Sequence, residues 1–159
     1  MGSAKQAERP ATLARWPSTD LLAELSAGET GDGGDAVSVW WLGQAGFCLR
    51  WGGLRIAVDP YLSDSLARKY AGSRFPHRRM MAAPVKPEAL TDLDYVFCTH
   101  AHTDHMDGDT LSAIARSNAR CRFVVPLAET AKALERGVPA DRVVAVRAGE
   151  TLPIGPRAS

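Results

Sequence analysis

Tyr95-Val96-Phe97-Cys98-Thr99-His100-Ala101-His102-Thr103-Asp104-His105 is the stretch on which the reading of this chain turns. Its first four residues form an apolar run of strand length. Three of the chain's 4 histidines then follow at once, beside an aspartate. Residues two apart on an extended chain point the same way, so His100, His102 and Asp104 are expected to converge on one side as the chain leaves the strand. His105, next to Asp104, is expected to point elsewhere and to suit a second metal. Imidazole nitrogens suit zinc and similar divalent ions, and a carboxylate adds negative charge, so a mixed set of this kind can hold two cations a few ångströms apart. The bland alternative is a polar loop decorated with histidines, and their concentration in this one place argues against it.

Working outward, the residues before this stretch read as strands. Val37, Val39 and Trp41 alternate with Ser38 and Trp40; Phe47 to Trp51 and Leu54 to Val58 follow, each run bounded by glycines. Gly52-Gly53 is a two-residue hairpin signal, because glycine accepts the positive φ angles of a tight turn, so the second and third strands should pair antiparallel. Gly43 and Gly46 permit a sharp reversal, and Trp40 and Trp41 straddle two sheet faces; these are structural rather than catalytic. Asp59-Pro60 stops the third strand, and a long basic, proline-punctuated segment runs on to Val85. A short helical turn after Pro87 leads back to Tyr95.

Downstream, Asp109 is expected to cap a helix with Leu111, Ile114 and Ala115 on one face. Arg122 to Val125 reads as a strand, Glu129 to Arg136 as a helix stopped by Gly137, and Arg142 to Val146 as another strand. A further strand starts at Leu152 and dissolves into Gly155-Pro156-Arg157-Ala158-Ser159. At the other end, residues 1–10 read as a disordered tail, Ser18 to Leu25 as a short helix capped by Ser18 or Thr19, and Gly28 to Asp35 as a loop. Strands followed by strand–helix–strand–helix–strand predict an α/β fold, a mixed sheet covered by helices on at least one face.

His100-Ala101-His102-Thr103-Asp104-His105 resembles the HxHxDH motif of the metallo-β-lactamase superfamily. Trp40-Trp41-Leu42-Gly43-Gln44-Ala45-Gly46-Phe47, Asp59-Pro60-Tyr61-Leu62-Ser63 and Asp104-His105-Met106-Asp107 are similar to the subgroup containing ascorbate-6-phosphate lactonase. The likeness to phospholipase-D-like members is looser. The resemblance implies an αββα-type fold, with residues 1–35 a tail and short helix and 36–159 the domain proper. It also implies that His100 and His102 bind one metal and Asp104 and His105 another. A hydroxide bridging the two ions would then attack an ester, lactone or phosphodiester, since coordination brings the pKa of water towards neutrality. Asp104 is the leading catalytic residue, orienting that hydroxide or accepting its proton. Zinc is the expected ion, two of them in a full site, with manganese as the alternative.

Other positions carry two readings each. Asp59 stands where family members have an aspartate near the metal, but Asp-Pro is also an ordinary turn start. Asp107 can orient a ligand histidine through its other N–H, or simply place negative charge at a helix N-terminus. In the long basic segment Arg74, His77 and Arg78 are candidate contacts for a phosphate or carboxylate on a small-molecule substrate, against the plainer reading of a solvated basic face.

Family members are built from two similar halves, and the second would carry a third histidine for the first metal, a bridging aspartate and a final histidine. No histidine follows His105 here. The expectation is therefore the first half of the fold, truncated before its second half, with a sheet face lacking its cover. Three functions compete: a metal-dependent hydrolase whose truncated chain turns over weakly or not at all; a site completed in a homo-oligomer or by a complementary half; and a non-catalytic metal- or anion-binding module.

Bulk properties narrow the field. A net charge of +1 gives no overall field for nucleic acid or a membrane surface, and no basic stripe interleaved with aromatics appears outside the one loop. No segment has the uninterrupted apolar length needed to span a bilayer, and none reads as a signal peptide. Cys48, Cys98 and Cys121 are odd in number and widely spaced within apolar segments, which suits buried thiols in a reducing cytoplasm.

Overall fold

A computed structural model describes residues 21–26, 36–79 and 81–155. The expected tail at 1–10, the caps Ser18 and Thr19 and the loop at 28–35 lie outside those residues. The helix they were to start is present as α1 (Leu21–Ser26).

Six strands form one sheet in chain order: β1 (Ser38–Gly43), β2 (Gly46–Trp51), β3 (Leu54–Val58), β4 (Tyr95–Phe97), β5 (Arg122–Pro126) and β6 (Val143–Val146). The first three pair antiparallel and the last four parallel, so β3 belongs to both halves. The β2–β3 hairpin turns on Gly52 and Gly53, whose φ angles of 54° and 79° match the expected turn.

Register aligns Trp40, Cys48, Ala57, Val96, Phe123 and Val143 across one face of the sheet. This is the covered face. α3 (Gly108–Ser117) lays Leu111, Ile114 and Ala115 into the same core, and α4 (Thr130–Glu135) adds Ala133. Leu111 and Ile114 are wholly buried, worth about 1.5–3 kcal/mol each. On the opposite face Val39, Trp41, Phe47 and Trp51 remain 38–56% exposed.

Three local expectations change. α3 is capped by Asp107, not Asp109: the Asp107 carboxylate accepts from Thr110 N at 3.0 Å, whereas Asp109 sits in the first turn and pairs with Arg68. The long segment after Pro60 contains a helix, α2 (Ser65–Lys69), held by Ser65 and Leu62 bonding to the start of α3. Residues 151–155 carry no strand, since Leu152 meets Pro153 one residue later and proline cannot donate to a ladder.

Candidate metal centre

The site lies where β3 and β4 end side by side. Val58 is level with Phe97, and Asp59 N donates to Phe97 O at 2.8 Å, so Asp59 and the segment from Thr99 onward leave the sheet together. Asp59 takes a φ of 43°, in the left-handed region that aspartate tolerates better than most residues. That turn places its carboxylate under the histidine loop, where it is 4% exposed.

Asp59 Oδ1 accepts from Thr99 N at 2.7 Å; Oδ2 accepts from Thr99 Oγ1 at 2.7 Å and lies 2.9 Å from His105 Nδ1. The His100 ring meets that of His102 with Nε2 to Nδ1 at 2.9 Å, and its centroid is 4.0 Å from that of His105. His105 therefore does not point away from the other two. The chain stops being extended at His102, whose carbonyl accepts from both His105 N and Met106 N, and this turn carries His105 back under His100. Asp104 Oδ2 stands 3.7 Å from His105 Nε2.

The hydrogen-bond partners assign the ring tautomers. A carboxylate only accepts, so His105 donates from Nδ1 to Asp59, and in the neutral ring Nε2 is then the acceptor nitrogen. Thr99 gives its one hydroxyl proton to Asp59, so at 3.0 Å it accepts from His100 Nδ1, and in the neutral His100 ring Nε2 is the acceptor that faces His102 Nδ1. Thr99 is a member of the site that spacing did not single out, because a threonine at a strand end has no distinctive pattern.

Among the described residues, no group of three or more His, Cys, Asp or Glu side chains has the spacing of a formed metal cage; the imidazoles bond one another instead. The donor chemistry nevertheless fits a divalent cation. Two histidines are fixed in the tautomer that presents Nε2, a third ring touches one of them, and a carboxylate stands beside the cluster.

The remaining candidates sit elsewhere. Asp107 is fully buried, and its oxygens are taken by Thr110 N, Thr110 Oγ1 and Ser65 Oγ rather than by a histidine. Arg74, His77 and Arg78 are exposed; Arg74 lies over the Phe75 ring and His77 stacks on Tyr70 at 4.4 Å. Later in that segment Arg79 donates to the carbonyls of Met81 and Tyr61 at 3.2 and 2.5 Å. Below the site, burial pushes the Cys98 thiol up to about 12, reinforced by the charge of Asp59 and opposed by Arg136.

The imidazoles and carboxylates gathered where the parallel strands end are the donor types that divalent metals take. A family model for the beta-lactamase superfamily domain matches residues 54–158, and the chain belongs to that superfamily, with its metallo-β-lactamase-type fold. It is 36% identical over 113 residues to an uncharacterized protein of Mycobacterium tuberculosis, covering 70% of this chain and 29% of the relative. To a probable L-ascorbate-6-phosphate lactonase of Escherichia coli it is 26% identical over 134 residues, covering 74% and 38%. The isothiocyanate hydrolase from Delia radicum gut bacteria superposes with a TM-score of 0.53 at 25% identity, covering 72% of this chain and 43% of that one. The chain thus spans less than half the length of each. No helix among the described residues is long and apolar enough to cross a membrane.

Proposed function

We propose that this chain carries part of the centre of a metal-dependent hydrolase that cleaves an ester, lactone or phosphodiester in a small molecule. The observation that carries the reading is the convergence of His100, His102 and His105 over Asp59 and Thr99, with His100 Nε2 turned to His102 and His105 Nε2 to Asp104. His100, His102, Asp104 and His105 would hold the ions, zinc first and manganese as the alternative. When bound, a divalent ion supplies Lewis acidity and makes water a usable nucleophile near neutral pH.

The chain's own residues supply the rest. Asp59 holds the His105 ring and the Thr99 hydroxyl, and Thr99 holds His100. Asp104 takes the proton of the attacking water as the carbonyl carbon or phosphorus gains its new bond to oxygen, and returns it to the departing alcohol. Arg74, His77 and Arg78, exposed on the basic segment, offer contacts to a phosphate or carboxylate on the substrate. The three cysteines are all buried and unbridged, which agrees with a cytoplasmic location.

A second reading, a site completed by another copy of the chain or by a complementary half, is favoured by the apolar face bearing Trp41, Phe47 and Trp51. A non-catalytic metal- or anion-binding module is the third. Metal content measured across the peak of a calibrated sizing column tests all three. Near-stoichiometric metal on a dimer or larger complex supports completion across an interface; metal on a monomer that hydrolyses no ester, lactone or phosphodiester supports the binding module; metal-free protein overturns the metal reading.

A further inference from the structure

Arg136 is the residue that caps the C-terminus of α4, far from the histidines in sequence. Its Nη1 donates to the carbonyls of Ala101 and Met106, at 2.7 and 2.5 Å. Those two carbonyls bracket His102, Thr103, Asp104 and His105. Apart from the two bonds to His102 O, the backbone hydrogen bonds within this loop are few, so a single nitrogen bridging 101 and 106 closes it into a ring.

The position of Arg136 is itself fixed by helix packing. A Cβ at Gly108 would lie 3.5 Å from its Cβ and Cγ, so the stem rests on the first residue of α3. Gly137, at φ +85°, comes so close to Ser112 that a Cβ there would sit 2.9 Å from the serine Cβ. Only glycine tolerates both the angle and the contact. α4 is thereby held against α3 with its last guanidinium behind the loop.

We infer that Arg136 is a positioning residue of the metal centre, setting the loop that presents His102, Asp104 and His105; this rests on the metal reading above. A useful control lies in the same chain. Arg142 also bridges two carbonyls, of Asn118 and Ala115 at 2.7 and 2.9 Å, but at the far end of α3. An arginine that merely ties helix ends together would behave as Arg142 does.

The test compares the full chain with Arg136→Ala and Arg142→Ala, following Zn2+ binding by competition with a chromogenic chelator and amide hydrogen exchange of residues 101–106 without metal. Arg136→Ala should weaken Zn2+ binding about tenfold or more and speed exchange across 101–106. Arg142→Ala should lower the melting temperature while leaving both readouts at wild-type values. Wild-type exchange and affinity in Arg136→Ala, or equal losses in the two variants, would overturn the inference. If Arg136→Ala does not fold, Arg136→Gln, which keeps the stem on Gly108 and shortens the donor, is judged by the same criteria. Should the wild-type chain take up no Zn2+, the metal reading fails, and the exchange comparison alone decides whether Arg136 sets the loop.

Discussion

Two segments leave the sheet at its site end, and they are held in opposite ways. The loop from Thr99 to Asp107 is short, and its histidines, threonine and carbonyls are bonded from several sides: Asp59 below, Arg136 behind, the turn on His102 within. The segment from Pro60 to Lys86 is three times as long and rich in cations, yet it is pinned at its ends. Tyr61, Leu62 and Ser65 are fastened to their neighbours, Arg79 is fastened near the return, and residues 71–78 between them are exposed. Charge alone marks a surface; the preorganised chemistry lies where polar side chains have partners that fix their direction.

The sharpest way to break this contrast is to remove the proposed ligands from the loop. His100→Ala and His102→Ala should each abolish most bound metal, whereas His77→Ala in the exposed segment should leave the content unchanged, as read by elemental analysis. Next, Asp59→Asn keeps the size of the side chain but removes the charge that orients Thr99 and His105. Zn2+ affinity should fall about 10–100-fold, as read by chelator competition, while the sizing-column position is retained.

Asp107→Ala should separate fold from site. It removes the cap of α3 and the anchor of Ser65 and should cost about 1–2 kcal/mol in denaturant unfolding, with the metal affinity of the folded protein kept. A separate effect concerns pH. Burial raises the Cys48 and Cys98 thiols from 9.0 to about 12 in the folded chain. Their contribution is therefore complete below pH 9 and lost as the pH climbs towards 12, because the unfolded chain ionises first. The melting temperature should decline across that window, and Cys48→Ser with Cys98→Ala should flatten the decline. Finally, Arg74→Ala and Arg78→Ala should each change stability by no more than about 0.5 kcal/mol. A larger loss would mean that the exposed segment is held more firmly than its contacts indicate.

Much of this arrangement was legible in the sequence because it is local. Alternation over Val37–Trp41, the Gly52-Gly53 turn and the apolar run at Tyr95 each depend on residues within a few positions, and strands and hairpin fall where these signals lie. The histidine cluster was legible for the same reason. What escaped are long-range partnerships. Arg136 meets Ala101 across 35 positions, which no periodicity encodes; Asp59 meets His105 across 46, and only the family resemblance, not spacing, had offered it as a neighbour of the site. The cap of α3 was misplaced by two residues because Asp107 and Asp109 are the same residue type; Thr110 decides between them by bonding back to Asp107 alone with both its N–H and its hydroxyl. The direction of His105 was missed because alternation assumes an extended chain, which ends at His102.

The β2–β3 turn has a practical consequence. Gly52 and Gly53 have open space where a Cβ would stand, and they lie at the end of β3 opposite Asp59. Five strand residues at about 3.3 Å each separate that tip from the histidines. A fluorophore, spin label or surface tether carried at exposed Trp51, beside the two glycines whose positive φ angles reserve the tip itself for glycine, would report on the loop from a known distance without touching it and follow metal uptake one molecule at a time.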